Sequence, residues 1–448
     1  MNEHPTPAEL EGFVWNRVSS GRAREIIAHI MTGCSPCYRL VKPHLQGLFG
    51  LAEPPPRAPL SPLEDAEYEA AIDRAFTSVL RTVREAQKRE ALALLADGGL
   101  ESLPDLPEHL RGIPLFEALL ERSWSFRHES PAQMVRFAEW ARTLAETFEP
   151  ACLGAAAVAD LQFRSWTELG NAYRVADNLA ASERALGRAL DLFVHGTQDE
   201  LLAARLFDVQ ASLLGDSRRF DLAETALDMV FAIHLRRGDR HLAGRALLSK
   251  GMYAGYQGES EEAIRLMEQS LELIDGEREP RLLYAGLHNL ARLLFDTGRP
   301  REARIALWRA KSRGLDAGGR VTELKSRWLE AQINADLNEL DRAEMALTEV
   351  RQGFEETGLV YKAALAGLEL GAIRLRQGRP DAAVPAVLEA ADVFISLGIS
   401  REAGASVLLL RKAFERHMVD GALLEYVIGL LRRNEDAVRE PFAVPARE

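Results

Sequence analysis

Small residues stand at fixed intervals through the second half of the chain. Ala223, Ala263, Ala303, Ala343 and Ala383 recur every 40 residues, and twelve positions before each stands Ala211, Gly251, Ala291, Ala331 or Gly371. Four positions after the alanines come Leu227, Met267, Leu307, Leu347 and Val387, one helical turn on and pointing into the same seam. Between the two series lie QGES at 257, TGRP at 297, LNEL at 337 and QGRP at 377, where Gly or Asn can take the positive φ that ends a helix. The pattern predicts antiparallel helical hairpins that approach most closely at the small residues, because axes about 8–10 Å apart leave no room there for a large side chain. A hairpin of this kind cannot bury its apolar face alone, so the hairpins are expected to stack into a continuous superhelix.

Outside the repeats the periodicity stays helical. Residues 68–96 and 131–148 read as long amphipathic helices, so 64–160 is taken as the helical N-terminal part of the body and 161–403 as the repeats. After position 400 Arg411 and Leu423 occupy the small positions, which predicts capping helices and a tail over 404–448. Ala, Leu, Arg and Glu dominate and alternating β-branched runs are absent; the protein is expected to be all-α. The stretch LAEPPPRAPLSP, residues 51–62, cannot be crossed by a helix, so 48–63 is read as a linker behind a small unit of residues 1–47.

The segment from Trp166 carries Trp166, Leu169, Gly170 and Tyr173 in the spacing W-x2-L-G-x2-Y, with Ser182 in place of the usual alanine of the second helix. It resembles the tetratricopeptide repeat, which implies that the superhelix is right-handed. The units from about 204 onward are 40 rather than 34 residues long, which implies longer helices or loops than the minimal repeat. Transferring that family's groove positions selects Arg245, Met252 and Tyr256, then His288 and Arg292, then Lys325, Trp328 and Gln332. Their mixture of cations, aromatics and a methionine suits an extended or helical peptide with acidic groups.

Charge and cysteine usage narrow the classes. With 55 Lys and Arg against 67 Asp and Glu, the formal charge of −12 gives no chain-wide reason to bind nucleic acid or anionic membrane. The opening residues lack a basic n-region followed by an apolar core, and no window approaches a membrane span; the expected location is cytoplasmic. Of the 3 cysteines, Cys152 is read as a small buried apolar residue, whereas Cys34 and Cys37 form a close pair that points to metal or redox chemistry. Ile26, Ile27, Ile30 and Met31 predict a helix stopped by Gly33, and Ser35-Pro36 starts another, which brings His29, Cys34 and Cys37 to one point between two helices. A tetrahedral zinc ion needs a fourth ligand, and His4, a carboxylate such as Glu3, and His44 are the nearby candidates. His4 is preferred, since it lies beyond the first helix and can fold back.

The stretch AHIMTGCSPC, read as H-x4-C-x2-C behind a short helix, resembles the zinc-binding anti-sigma fold, whose members commonly have H-x3-C-x2-C. The resemblance implies His4, His29, Cys34 and Cys37 as ligands of a structural zinc and three small helices as a docking surface for a sigma factor. A purely structural zinc unit on an assembly adaptor, and a thiol sensor in which oxidation of Cys34 and Cys37 expels the metal, are the alternatives. No phosphate-binding loop, nucleophile elbow, dinucleotide fingerprint or H-E-x-x-H is present, so no enzyme is expected. The expected function is a regulatory protein-interaction scaffold, with a protein or peptide partner in the repeats.

Overall fold

The computed structural model describes residues 4–14, 18–31, 37, 40, 84–96, 110–312, 319–397 and 421–436, with helical positions between 407 and 414. The described residues are helical with short turns, and no strand occurs among them. The chain divides into two compact units, Met1–Arg219 and Phe220–Glu448. The expected linker at 48–63 and the 403/404 boundary lie outside the described residues.

Unit 1 opens with α1 (Pro7–Val14) and α2 (Ser20–Met31), and a further helical stretch covers 84–96. It continues with α3 (Ile113–Ser125), α4 (Pro131–Glu146), α5 (Pro150–Leu153), α6 (Ala155–Val175), α7 (Leu179–Phe193) and α8 (Glu200–Asp216). Its core gathers Ala91 and Leu95 with Leu115, Phe116, Leu119, Phe137 and Leu144. The boundary expected at 160 falls inside α6, because nothing between Ala155 and Val175 breaks a helix and the first repeat helix begins six residues earlier than the pattern alone marks it. The side chain of Cys152 lies outside the described residues.

Unit 2 contains α9 (Phe220–Arg236), α10 (Arg240–Tyr256), α11 (Ser260–Leu273), α12 (Pro280–Asp296), α13 (Pro300–Ser312), α14 (Gly319–Asp336), α15 (Leu340–Glu356), α16 (Val360–Arg376), α17 (Pro380–Ser396) and α18 (Gly421–Asp436). The 40-residue period resolves into two equal halves. Helices start at 220, 240, 260, 280, 300, 340, 360 and 380, and six of them have 17 residues; three-residue turns follow those that end at 236, 256, 296, 356 and 376. The extra length over a 34-residue repeat therefore lies in the helices.

Each turn closes the same way. Gly258, Gly298 and Gly378 sit at φ of 85°, 74° and 72°, and Asn338 takes 60°, at the four turn signals of the sequence. Gly238 and Gly358 do the same between hairpins. The following residue then reaches back to an exposed helical carbonyl: the Glu259 N–H donates to Ala254 O at 2.9 Å, Arg299 to Leu294 at 2.9 Å and Glu339 to Asn334 at 2.8 Å. This six-to-one bond satisfies carbonyls that the helix end leaves open.

The seam is as tight as the small residues imply. A Cβ built on Gly251 would lie 3.2 Å from the Ala263 carbonyl oxygen and 3.0 Å from Met267 Cγ, which are the partners twelve and sixteen positions on. Gly170 meets Leu186 and the Ser182 carbonyl in the same relation, which places the Trp166 segment in the repeat series. Ala223, Ala263, Ala303, Ala343 and Ala383 have no exposed surface. At the C-terminal end Val407, Leu410 and Phe414 join Leu424, Val427, Ile428 and Leu431 of α18 in one core with α16 and α17. No described helix is long and apolar enough to cross a membrane.

Candidate functional site

The N-terminal module is organised by its helix ends. Thr6 caps α1 with Pro7 as first helical residue; the Thr6 N–H donates to Glu9 Oε2 at 2.7 Å and the Glu9 N–H to Thr6 Oγ1 at 3.2 Å, a reciprocal capping box. Arg22 of α2 donates from Nε to Glu9 Oε1 at 2.9 Å and from Nη1 to Glu25 Oε2 at 2.6 Å. The Arg22 hydrogen bond, then the Thr6 backbone and hydroxyl, hold the Glu9 carboxyl down at about 2. Leu10 and Phe13 of α1 and Ala23 and Ile26 of α2 are buried.

This frame brings together three of the four residues assigned to zinc. His4 precedes α1, His29 stands in the last turn of α2, and Cys37 follows at a buried helical position. His4 Nδ1 lies 3.1 Å from His29 Nε2 and 3.6 Å from Cys37 Sγ, and the two imidazoles meet edge to face. One ligand atom from each residue fits within 4.8 Å of the others. Cys34, like Glu3 and His44, lies outside the described residues.

The eight groove positions fall on α10, α12 and α14, with unequal exposure. Arg245, His288, Trp328 and Gln332 are buried, Met252, Arg292 and Lys325 are half-buried, and Tyr256 is exposed. Several are tied together inside the unit. Arg292 donates from Nη1 to Gln332 Oε1 at 3.1 Å, and the Gln332 amide donates to Glu369 Oε1 at 3.1 Å. Trp328 Nε1 donates to Glu369 Oε2 at 2.8 Å, and its ring packs edge to face on Phe354. From α18, Arg432 reaches the same carboxylate, Nε at 3.0 Å and Nη2 at 2.7 Å from Oε1. Burial works to lower the Arg432 pKa and the Glu369 charge outweighs it, so the guanidinium is held in its charged form.

Glu369 was not among the residues selected from sequence, although it is the one carboxylate in the apolar run Ala363–Ile373, an environment that a charged group rarely enters without partners. A second polar cluster centres on His241 in α10. Its Nδ1 accepts the Asp275 N–H at 3.1 Å, so the ring proton sits on Nε2 and donates to Glu279 Oε2 at 3.1 Å. Tyr284 of α12 and Ser326 of α14 are linked through their hydroxyls. These bonds join side chains about one repeat apart and fix the spacing between neighbouring first helices.

No protein-family model and no curated protein matches the chain. Among solved structures, the apo quorum sensor NprR from B. thuringiensis is 12% identical, covering 78% of this chain and 97% of that one at a TM-score of 0.48. Aspartyl phosphate phosphatase F from Bacillus subtilis is also 12% identical, with 88% and 95% covered and a TM-score of 0.45. The apo form of RapI is 14% identical, with 63% and 99% covered and a TM-score of 0.44. At these scores the tetratricopeptide-like architecture rests on the chain's own register, turns and seam contacts.

Proposed function

We propose that the protein is a non-enzymatic interaction scaffold in which a zinc-clasped N-terminal module and a body of helical hairpins each hold a protein or peptide partner. The observation that carries this reading is the row of first helices α10, α12, α14 and α16, set in one register and cross-tied by side chains. Such a row offers fixed, repeated positions to an extended or helical peptide. Tyr256, Met252, Arg292 and Lys325 keep exposed or half-exposed surface and form the contact set; Arg245, His288, Trp328 and Gln332 support it from beneath.

Ligand spacing supports zinc. Tetrahedral bonds of about 2.0 Å to nitrogen and about 2.3 Å to sulfur set two nitrogens about 3.3 Å apart and nitrogen about 3.5 Å from sulfur. The His4–His29 and His4–Cys37 separations of 3.1 and 3.6 Å fit those values. Cys34 completes the set in this reading. The ion is structural, since a unit of this size buries little apolar surface and a structural zinc contributes about 10–16 kcal/mol to folding. A sigma factor as the module's partner follows from the resemblance of the H-x4-C-x2-C stretch to the anti-sigma fold.

Metal analysis of the intact chain should give about one zinc per chain, lost when Cys34 and Cys37 are both changed to Ser. Absence of zinc from the intact protein removes the clasp. Affinity capture from native lysate with both forms then separates the roles: a sigma factor recovered only by the intact chain supports the regulatory reading, and partners retained equally by both leave the module as a structural clasp on a repeat scaffold.

A further inference from the structure

The second helices of unit 2 carry their most exposed large apolar side chains on two neighbours. Their burial pattern repeats closely, so the solvent-facing positions are known: Thr225 and Arg265 stand where the next two repeats have Ile305 and Met345, and Asp228, Glu268 and Thr348 stand where one repeat has Trp308. Ile305, Trp308 and Met345 are 60%, 67% and 56% exposed. Large apolar side chains thus replace polar ones at outward positions of two adjacent hairpins, and they stand further into solvent than the other outward apolar side chains of the second helices, such as Met229 at 49%.

Charge is inverted at the same place. Helix α13, PREARIALWRAKS, carries four cations against one carboxylate, a net of +3, whereas α11, α15 and α17 each come to −3 and the whole chain to −12. Between α13, α14 and α15 lies an open cavity of about 600 Å³, floored by the buried Leu307 and Ile333 and walled by Trp308 and Met345. Four cations rim it. Arg304 and Arg342 share Glu339 at 2.7 Å each, and Lys311 and Arg327 share Glu330 at 2.6 and 2.8 Å. Arg327 also meets Glu349 at 2.7 Å, so four cations stand against three carboxylates, and with Arg342 70% exposed the rim keeps a small excess of positive charge at its surface.

We infer that this cavity is a second docking site, which takes an acidic peptide segment of a partner protein with a bulky apolar side chain seated against Trp308 and Met345. Carboxylates flanking the anchor meet Arg304 and Arg342. Exposed tryptophan ringed by cations is the composition that concentrates binding energy, the ring supplying area and the rim steering and orientation. The site lies on the second helices and is independent of whether the first-helix row binds anything.

Fluorescence anisotropy of short labelled peptides on the full chain tests it, using Leu or Phe between Asp and Glu, the same anchor between Lys residues, and Ser between Asp and Glu. The acidic apolar peptide should bind saturably, weaken at high salt, and weaken about tenfold or more in Trp308→Ala and in Arg342→Glu. Trp308 is exposed, so the variant keeps its helicity by circular dichroism. No saturable binding, equal binding by Trp308→Ala, or equal binding of the Lys or Ser peptides overturns the inference. So does a concentration-dependent dimer of the wild type that Trp308→Ala abolishes, since the occupant is then a second copy.

Discussion

Gly371 and Gly187 both lie inside helices, yet a methyl group at the two positions has opposite consequences. At Gly187 an added Cβ meets nothing within 4 Å, so Gly187→Ala gains about 0.5–1 kcal/mol from reduced backbone freedom of the unfolded chain. At Gly371 it would come within 2.5 Å of Val387 Cγ2, on a β-branched side chain with essentially one helical rotamer. Overpacking costs about 1–3 kcal/mol and exceeds the same gain, so Gly371→Ala destabilises; denaturant midpoints of the two variants should move in opposite directions. Glu9 gives a prediction in pH. Its folded value of about 2 lies below the ordinary 4.5, so its contribution to the module is complete above 4.5, declines as pH falls, and is gone below about 2. A carboxyl NMR titration should place the Glu9 midpoint near 2 and Arg22→Ala should return it toward 4.5; an ordinary midpoint in the wild type would show that the Arg22 bond does not persist in solution.

Among the elements, α18 docks through its apolar face, through Tyr361, whose hydroxyl donates to Leu431 O at 3.0 Å, and through Arg432 on the buried Glu369 carboxylate. Glu369→Ala leaves Trp328 Nε1, the Gln332 amide and Arg432 without their acceptor, at a cost of about 3–5 kcal/mol. Amide exchange over 421–436 should then accelerate relative to α16. If α18 stays equally protected, the apolar contacts of Leu424, Val427, Ile428 and Leu431 and the Tyr361 hydrogen bond hold it without the carboxylate. The hairpins themselves were legible because their signal is local and periodic: an integer spacing of small residues, with a glycine or asparagine at the four turns near 258, 298, 338 and 378, although Asp177 and Arg218 take that place in the two earlier hairpins. His29 and Cys37 were legible for the same reason, as ligand types within one short stretch. Glu369 was hidden because its partners lie 37, 41 and 63 residues away, and no local pattern joins them. The groove positions carried over from shorter repeats include four that are buried here, among them Trp328, whose ring packs on Phe354 and whose Nε1 donates to Glu369.

At the scale of the whole molecule, the 20-residue spacing of helix starts makes unit 2 nearly uniform along its length, so its stability is approximately a sum of like terms between nearest neighbours. The departures from that uniformity are the shorter second helices α11 and α13, of 14 and 13 residues, and the charge inversion at α13. A uniform stack ended by a clasped helix has a mechanical consequence. Pulled from its C-terminus, unit 2 should resist first at the Glu369–Arg432 contact and then yield hairpin by hairpin, each releasing 40 residues of chain, or about 140 Å of contour length. Force spectroscopy would read those steps as a ladder of equal rungs, and a single large rip in their place would mean that the hairpins fail together. The repeat period would thus act as a ruler, measuring out extension in fixed lengths whenever load is placed on the chain.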